Sequence, residues 1–170
     1  WLIRMVENLL SVTRVDGERV RLSKNSIVLE ELIADVLVKF HKHYPQQEIR
    51  VQIPSQFLSI PMDPMLIEQV LMNLLENAVF HAKGMKNLWL RVECENGDAV
   101  FCVEDDGCGI AKERMSKLFS GLQERDDFME TGRSNMGIGL SVCRAIITAH
   151  GSDITAVRHP QYDLSGNPDC

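Results

Sequence analysis

Three observations predict an α+β fold, a two-layer sandwich of sheet and helices. Stretches with helical apolar spacing alternate irregularly with extended runs, without the strict strand–helix–strand order of a doubly wound parallel sheet. Asn96-Gly97 lies between two runs of alternating side chains, a favoured antiparallel hairpin turn. Apolar residues make up 45% and charged residues 25% of the 170 residues, enough for a real core in one domain of ordinary size with a short appendage.

The elements follow in order. Leu2, Val6 and Leu9, widened by Met5 and Val12, predict a helix over residues 1–15 that stops at Asp16-Gly17. So short a helix is marginal alone and needs a partner. It reads either as an ordinary packed first helix or as the stub of a longer one. The chain opens on Trp1 rather than Met and is read as a piece of a longer protein. A second helix fits Leu29 to His43, starting near Ser26 and ending before Tyr44-Pro45. Two short extended runs follow, Glu48 to Ile53 and Phe57 to Ile60, each bounded by proline. Asp63-Pro64 pairs an N-cap with a proline at the first helical position, opening a helix to about Ala82, with Gly84 as the stop. Leu88, Leu90, Val92 and Cys94 alternate with Trp89, Arg91 and Glu93, and the return strand is Ala99 to Asp105. A short helix from Lys112 to Phe119, a polar mobile loop from Ser120 to Asn135, and a helix from Gly137 to His150 complete the middle. Gly151 stops the last helix in the left-handed conformation. Ile154 to Val157 is expected to be a final strand, and Ser165 to Cys170 an unstructured tail.

Composition excludes several function classes. A net charge of −6 argues against a general nucleic-acid binder, which needs a basic face. No apolar run approaches the ~18 residues of a membrane span. Five cysteines without a C-x-x-C pair predict free thiols rather than a disulfide framework or a zinc site. His41 and His43 read as solvated residues rather than metal ligands.

Three stretches could carry chemistry. On a helical wheel from Leu66, the apolar residues Leu66, Ile67, Val70, Leu71, Leu74, Leu75 and Ala78 fill one half. Asn73 and Asn77 fall near its border, one turn apart. A buried amide is satisfied either by backbone or by a ligand. With Gln69 a turn back, this seam suits a hydrated divalent cation and phosphate oxygens, since an amide carbonyl is a hard ligand. Asp105 ends a strand and is followed by Gly107 and Gly109. It reads either as an ordinary turn or as a carboxylate accepting from an exocyclic amine such as that of adenine. Gly137-Ile138-Gly139-Leu140 opens a helix, either a plain loop-to-helix junction or a phosphate cradle with free N–H groups at a positive helix end. It is neither a P-loop nor a dinucleotide fingerprint, because the Gly-Lys-Ser/Thr ending and the third glycine are missing.

The order of these stretches resembles the catalytic, ATP-binding domain of sensor histidine kinases, in the superfamily that also holds gyrase, Hsp90 and MutL. NLLENA (Asn73 to Ala78) looks like the family's N box, and DDGCGI (Asp105 to Ile110) like its first glycine box. MGIGLSVCRAII with His150-Gly151 looks like the second. The opening WLIRMVENLLSVTRVDGE resembles the end of the dimerisation domain's second helix, and with the ENAV and CRAI stretches it looks like the osmosensitive potassium-channel sensor kinases. The resemblance covers about residues 1–158.

It implies a mixed sheet layered on three helices, with ATP between them under a flexible lid formed by residues 119–135. Residues 1–20 would end the dimerisation and phosphotransfer region, and 21–170 would form the ATP-binding domain. By position, Asn77 would hold Mg²⁺ and Asn73 support the phosphates. Asp105 would bind the adenine amine, with Gly107 and Gly109 lining its pocket. Gly137, Gly139 and Leu140 would cradle phosphate, and His81, Ile110 and Ile138 complete the ATP-binding set. The implied activity is γ-phosphoryl transfer to a histidine, absent from this chain, for relay to a response regulator. The implied partners are the chain's own dimerisation domain and the regulator's receiver domain, in a homodimeric, membrane-bound sensor whose kinase domain is cytoplasmic. In the ATPase branch a Glu stands where this chain has Asn73, so hydrolysis is not expected.

Departures at Phe80 and His81, where the family has a basic residue and then an aromatic, and at Glu124 and Asn135, leave a second reading: the same fold as a degenerate weak nucleotide binder or regulatory interaction module.

Overall fold

The computed structural model describes residues 22–115, 117–119 and 138–158. These fall into two compact units, Ser23–Gly109 with Arg158, and Leu22 with Ile110–Val157. The first unit runs β1 (Asn25–Val28), α1 (Leu29–His43), β2 (Arg50–Gln52), β3 (Ser59–Met62), α2 (Pro64–His81), β4 (Leu88–Glu95) and β5 (Asp98–Asp105). The second unit holds α3 (Lys112–Met115) and α4 (Ile138–His150).

In the first unit the hairpin forms as its turn chemistry dictates. Asn96 and Gly97 both take positive φ (51° and 93°), the requirement of the turn that matches strand twist. Register then runs outward from Glu95↔Asp98 to Leu88↔Asp105. Leu88, Leu90 and Val92 are buried, while Cys94 lies beyond the core and is exposed. On the opposite face, the guanidinium groups of Arg50 and Arg91 lie 5.7 Å and 5.5 Å from the Trp89 ring. Arg91 also pairs with Glu104.

β2 pairs in parallel with β4, and β4 antiparallel with β5, giving a mixed sheet in the order β2-β4-β5. The parallel pair needs a long crossover, and α2 supplies it. α1 buries Leu29, Leu32, Ile33, Val36 and Phe40 along one stripe. α2 buries Ile67, Val70, Leu71, Leu75 and Ala78 and packs on α1 and β5. The α+β class and the mixed sheet therefore stand as expected.

Asp63 caps α2 as the sequence predicts. Its side chain accepts from the Leu66 N–H at 3.3 Å and from the Ser23 N–H at 3.0 Å, and Pro64 follows at the first helical position. At the end of α4, Gly151 has φ +86°. Its N–H bonds to Thr148 O at 2.9 Å and that of Ser152 to Ile147 O at 3.1 Å, closing the helix.

Several expectations need correction. Residues 25–28 do not start α1. They form β1, which pairs antiparallel with β3 from Asn25↔Met62 to Val28↔Ser59, with a Ser26–Ser59 hydroxyl bond of 2.8 Å. Ile154 to Val157 forms no strand. Val157 is 86% exposed, and no strand among the described residues pairs with the run. The helix at Lys112 ends at Met115, and residues 117–119 are a turn. On α2, Leu66 and Leu74 are half-buried, whereas Glu76 is only 7% exposed. The predicted helix over 1–15, the loop over 120–135, Gly137 and the tail lie outside the described residues.

The described cysteines, Cys94, Cys102, Cys108 and Cys143, are free thiols. Among the described residues no helix is long and apolar enough to cross a membrane.

Candidate nucleotide-binding site

Helical spacing places Asn73, Asn77 and His81 on successive turns of α2, with His81 the last helical residue. The Nδ2 atoms of Asn73 and Asn77 are buried and have no hydrogen-bond partner among the described residues. An unsatisfied buried donor costs about 1–3 kcal/mol, and folded proteins carry few. Two of them one turn apart form a row of donors suited to an acceptor from outside the chain, and an anionic oxygen satisfies both. Each amide also has a carbonyl oxygen able to face a hard cation. Among the described residues no group of three or more His, Cys, Asp or Glu side chains could hold a metal ion. His81 keeps part of its ring in solvent, and burial of the rest holds its pKa below the ordinary histidine value.

Phe80 points elsewhere. Its ring meets Tyr44 edge-on, with centroids 6.0 Å apart and planes at 80°, and Tyr44 packs on Phe40 at 5.0 Å. An apolar ring at this position therefore joins the ends of α1 and α2.

The second group sits where β5 ends. Asp105 accepts a hydrogen bond on Oδ1 from the Gly107 N–H at 3.0 Å. Burial pushes its carboxyl above the usual range, the Gly107 bond opposes this, and the charges of Asp106 and Glu104 add to the rise. Such a carboxylate is short of donors, and an exocyclic amine would supply one.

The next residue makes a contact that the sequence reading missed. Asp106 Oδ1 accepts from the backbone N–H groups of Lys86 (2.7 Å) and Asn87 (2.8 Å), and its Oδ2 accepts from Asn87 Nδ2 (2.6 Å). Burial raises its pKa, but the bonds from Asn87 and Lys86 outweigh that and hold it below the usual carboxylate value. The hairpin register would have found this contact, because continuing the pairing one step beyond Leu88↔Asp105 sets Asn87 opposite Asp106.

Backbone bonds lace the same two loops, from Cys108 N–H to Lys83 O at 3.0 Å and from Asp106 N–H to Asn87 O at 3.4 Å. Gly107 is buried against the end of α2. A Cβ there would stand 2.7 Å from Ala82 Cβ and 2.9 Å from its Cα, so only glycine allows this approach. Gly109 is exposed with φ +75°. The first unit thus brings together the amide row, His81, Asp105 and both glycines through the turn that follows α2.

The remaining predicted residues belong to the second unit. Ile110 is exposed. Ile138, Gly139 and Leu140 form the first turn of α4, where backbone N–H groups lack partners within the helix and the helix end is positive. Val142, Cys143 and Ile146 are its buried stripe.

Comparison with known proteins gives one consistent answer. Residues 62–166 match the family of histidine kinase-, DNA gyrase B- and HSP90-like ATPases. The sensor protein KdpD of Clostridium acetobutylicum is 34% identical over 158 residues, 92% of this chain and 17% of that protein. KdpD of Escherichia coli is 30% identical over 158 residues, 93% of this chain and 17% of that protein. The chain therefore spans about a sixth of the length of these curated relatives. Among solved structures, histidine kinase ThkA in complex with the response regulator protein TrrA superposes with a TM-score of 0.71 at 26% identity, covering 94% of this chain and 45% of that one. The matches favour the ATP-binding domain of a sensor kinase over a degenerate module. With its residues 62–166 under that family's pattern and an amide row beside a glycine-flanked carboxylate, the chain belongs to the histidine kinase-, DNA gyrase B- and HSP90-like ATPase family.

Proposed function

We propose that the chain is the ATP-binding catalytic domain of a two-component sensor histidine kinase. It transfers the γ-phosphoryl group of Mg-ATP to a histidine outside these residues, for relay to a response regulator. The observation that carries this reading is the pair of buried, unsatisfied Nδ2 donors of Asn73 and Asn77 on the helix whose end is laced to the Asp105 turn.

In this reading Asp105 accepts from the adenine amine, and Gly107 and Gly109 contribute backbone to that pocket. Asn73 and Asn77 would donate to phosphate oxygens through their buried Nδ2 groups, and Asn77 would hold Mg²⁺ through its carbonyl oxygen. Bound Mg²⁺ would neutralise charge on the β- and γ-phosphates. The family resemblance adds Gly137, Gly139 and Leu140 as residues that would cradle phosphate, with His81, Ile110 and Ile138 in the ATP-binding set. In the transfer, a ring nitrogen of the acceptor histidine forms a bond to the γ-phosphorus as the bond to the β–γ bridging oxygen breaks, and ADP leaves. Positioning and charge neutralisation supply most of the rate. Asn73 stands where the hydrolysing branch carries a base, which favours transfer over hydrolysis.

The relatives extend the proposal. ThkA is crystallised with a response regulator, and a receiver domain is the expected partner here. The likeness to KdpD supports a cytoplasmic domain of a homodimeric, membrane-bound sensor of the potassium or osmotic type. Residues 1–20 would end its dimerisation region, and 21–170 would form the ATP-binding domain.

Calorimetric titration with Mg-ATP tests binding. Mixing the chain with a dimerisation fragment that bears the acceptor histidine and γ-labelled ATP tests transfer. Phosphohistidine above background is expected, and absence of both binding and label would remove the reading.

A further inference from the structure

We propose that Asp106 is a positioning residue for purine selection. It fastens the turn carrying Asp105 to the segment that follows α2, so that the Asp105 carboxylate meets an amine on the base and turns away a base with a carbonyl in that place. The proposal rests on the reading of this site as a purine-nucleotide pocket.

Asp105 cannot fix its own direction. Its backbone is held in β5 opposite Leu88, but among the described residues its carboxylate has one side-chain bond, to the N–H two residues on, so the direction of the carboxylate follows the turn. What anchors the turn is Asp106. Its two oxygens take three donors, the Lys86 and Asn87 N–H groups and Asn87 Nδ2, at 2.6–2.8 Å. Charge-assisted bonds of this length are among the stronger hydrogen bonds. On the far side of the turn, Cys108 N–H is bonded to Lys83 O, and Gly107 sits against Ala82, the residue that caps α2. The turn is therefore held at both ends against the segment that follows the helix carrying Asn73 and Asn77, and at Gly107 against that helix's cap. Selection between an amine and a carbonyl depends on such rigidity. A carboxylate that can swing away escapes the repulsion of a facing carbonyl oxygen, whereas a fixed one cannot.

The test is calorimetric titration of the whole chain with Mg-ATP and with Mg-ITP, which carries a carbonyl in place of the amine. Asp106→Asn keeps the shape and one accepting oxygen, but removes the negative charge and the acceptor that faces Asn87 Nδ2, so the Asn87 amide must turn over to bond again. It is expected to weaken ATP binding about tenfold or more and to lower the ATP-to-ITP ratio by most of that factor. Combining it with Asn87→Asp reverses donor and acceptor, and is expected to restore the ratio. A turn that served stability alone would weaken both nucleotides equally. Equal loss, an unchanged ratio, or a double variant that regains its melting temperature but not its selectivity would overturn the proposal. If Asp106→Asn does not fold, Asn87→Ala removes only the side-chain donor, and the ratio must still fall. Equal binding of ATP and ITP by the unaltered chain also overturns the proposal, while leaving the nucleotide reading intact. Binding of neither nucleotide removes that reading first.

Discussion

Asn77→Ala separates ligand from fold. The side chain removed has a buried donor without a partner, so its loss leaves no stranded group behind, and the melting temperature of the ligand-free protein should stay nearly unchanged. Mg-dependent nucleotide binding should vanish. Calorimetry beside a thermal melt checks both, and wild-type affinity would remove Asn77 from the site. Asp105 predicts a pH dependence of definite sign. Burial above all pushes its carboxyl above the usual range, and the ionised form is the stronger acceptor for an amine N–H. ATP affinity should therefore decline on acidification at a pH above the ordinary carboxylate value, and Asp105→Asn should flatten that decline. Asp106 behaves oppositely. Its folded-state pKa is lowered, so the stability it contributes is present above the unfolded-state value and is lost as pH falls through the lower folded one. The amides were legible in the sequence because helical arithmetic puts them at the edge of an apolar half-wheel. Asp106 was missed because nothing beside it in sequence marks its role; its partners lie nineteen and twenty residues away, and only extending the hairpin register past Leu88↔Asp105 brings them opposite it.

At the scale of elements, local chemistry decided what could be read. Asp63-Pro64 and Asn96-Gly97 each state a backbone geometry within two residues, and both formed as expected. β1 was missed because nothing local marks it. Asn25-Ser26 looks like a helix entry, and the strand exists only through pairing with β3, more than thirty residues on. Ile154 to Val157 shows the converse: apolar character without a partner strand among the described residues makes no strand. The cap at Asp63 gives a stability prediction. Asp63→Ala deletes the bond from Leu66 N–H and the tie to Ser23 N–H, and should cost about 1–2 kcal/mol in chemical denaturation. Gly107→Ala should be more local in cause and wider in effect. A methyl group 2.7 Å from Ala82 must push the turn off α2, costing about 1–3 kcal/mol and weakening ATP binding with it.

For the molecule as a whole, kinase and ATPase readings part over one residue. With Asn73 in place of a base, steady phosphate release from Mg-ATP without an acceptor should stay near background, while transfer to an added histidine-bearing dimerisation fragment proceeds. Rapid release with no acceptor would assign the chain to the hydrolysing branch. The α+β class could be read at this scale because irregular strand and helix order already excluded a doubly wound sheet, whereas the mixed sheet came only with the family resemblance. The division at Gly109–Ile110 could not, since no proline- or glycine-rich linker stands there beyond the turn itself. The outer face of the sheet carries one more consequence. Trp89 pairs with Glu104, the neighbour of Asp105, and has two arginine guanidinium groups 5.7 Å and 5.5 Å from its ring. The chain has only one other tryptophan, Trp1. In a Trp1→Phe background the remaining indole becomes a native optical reporter, and its emission can follow events at the end of β5 without any attached dye.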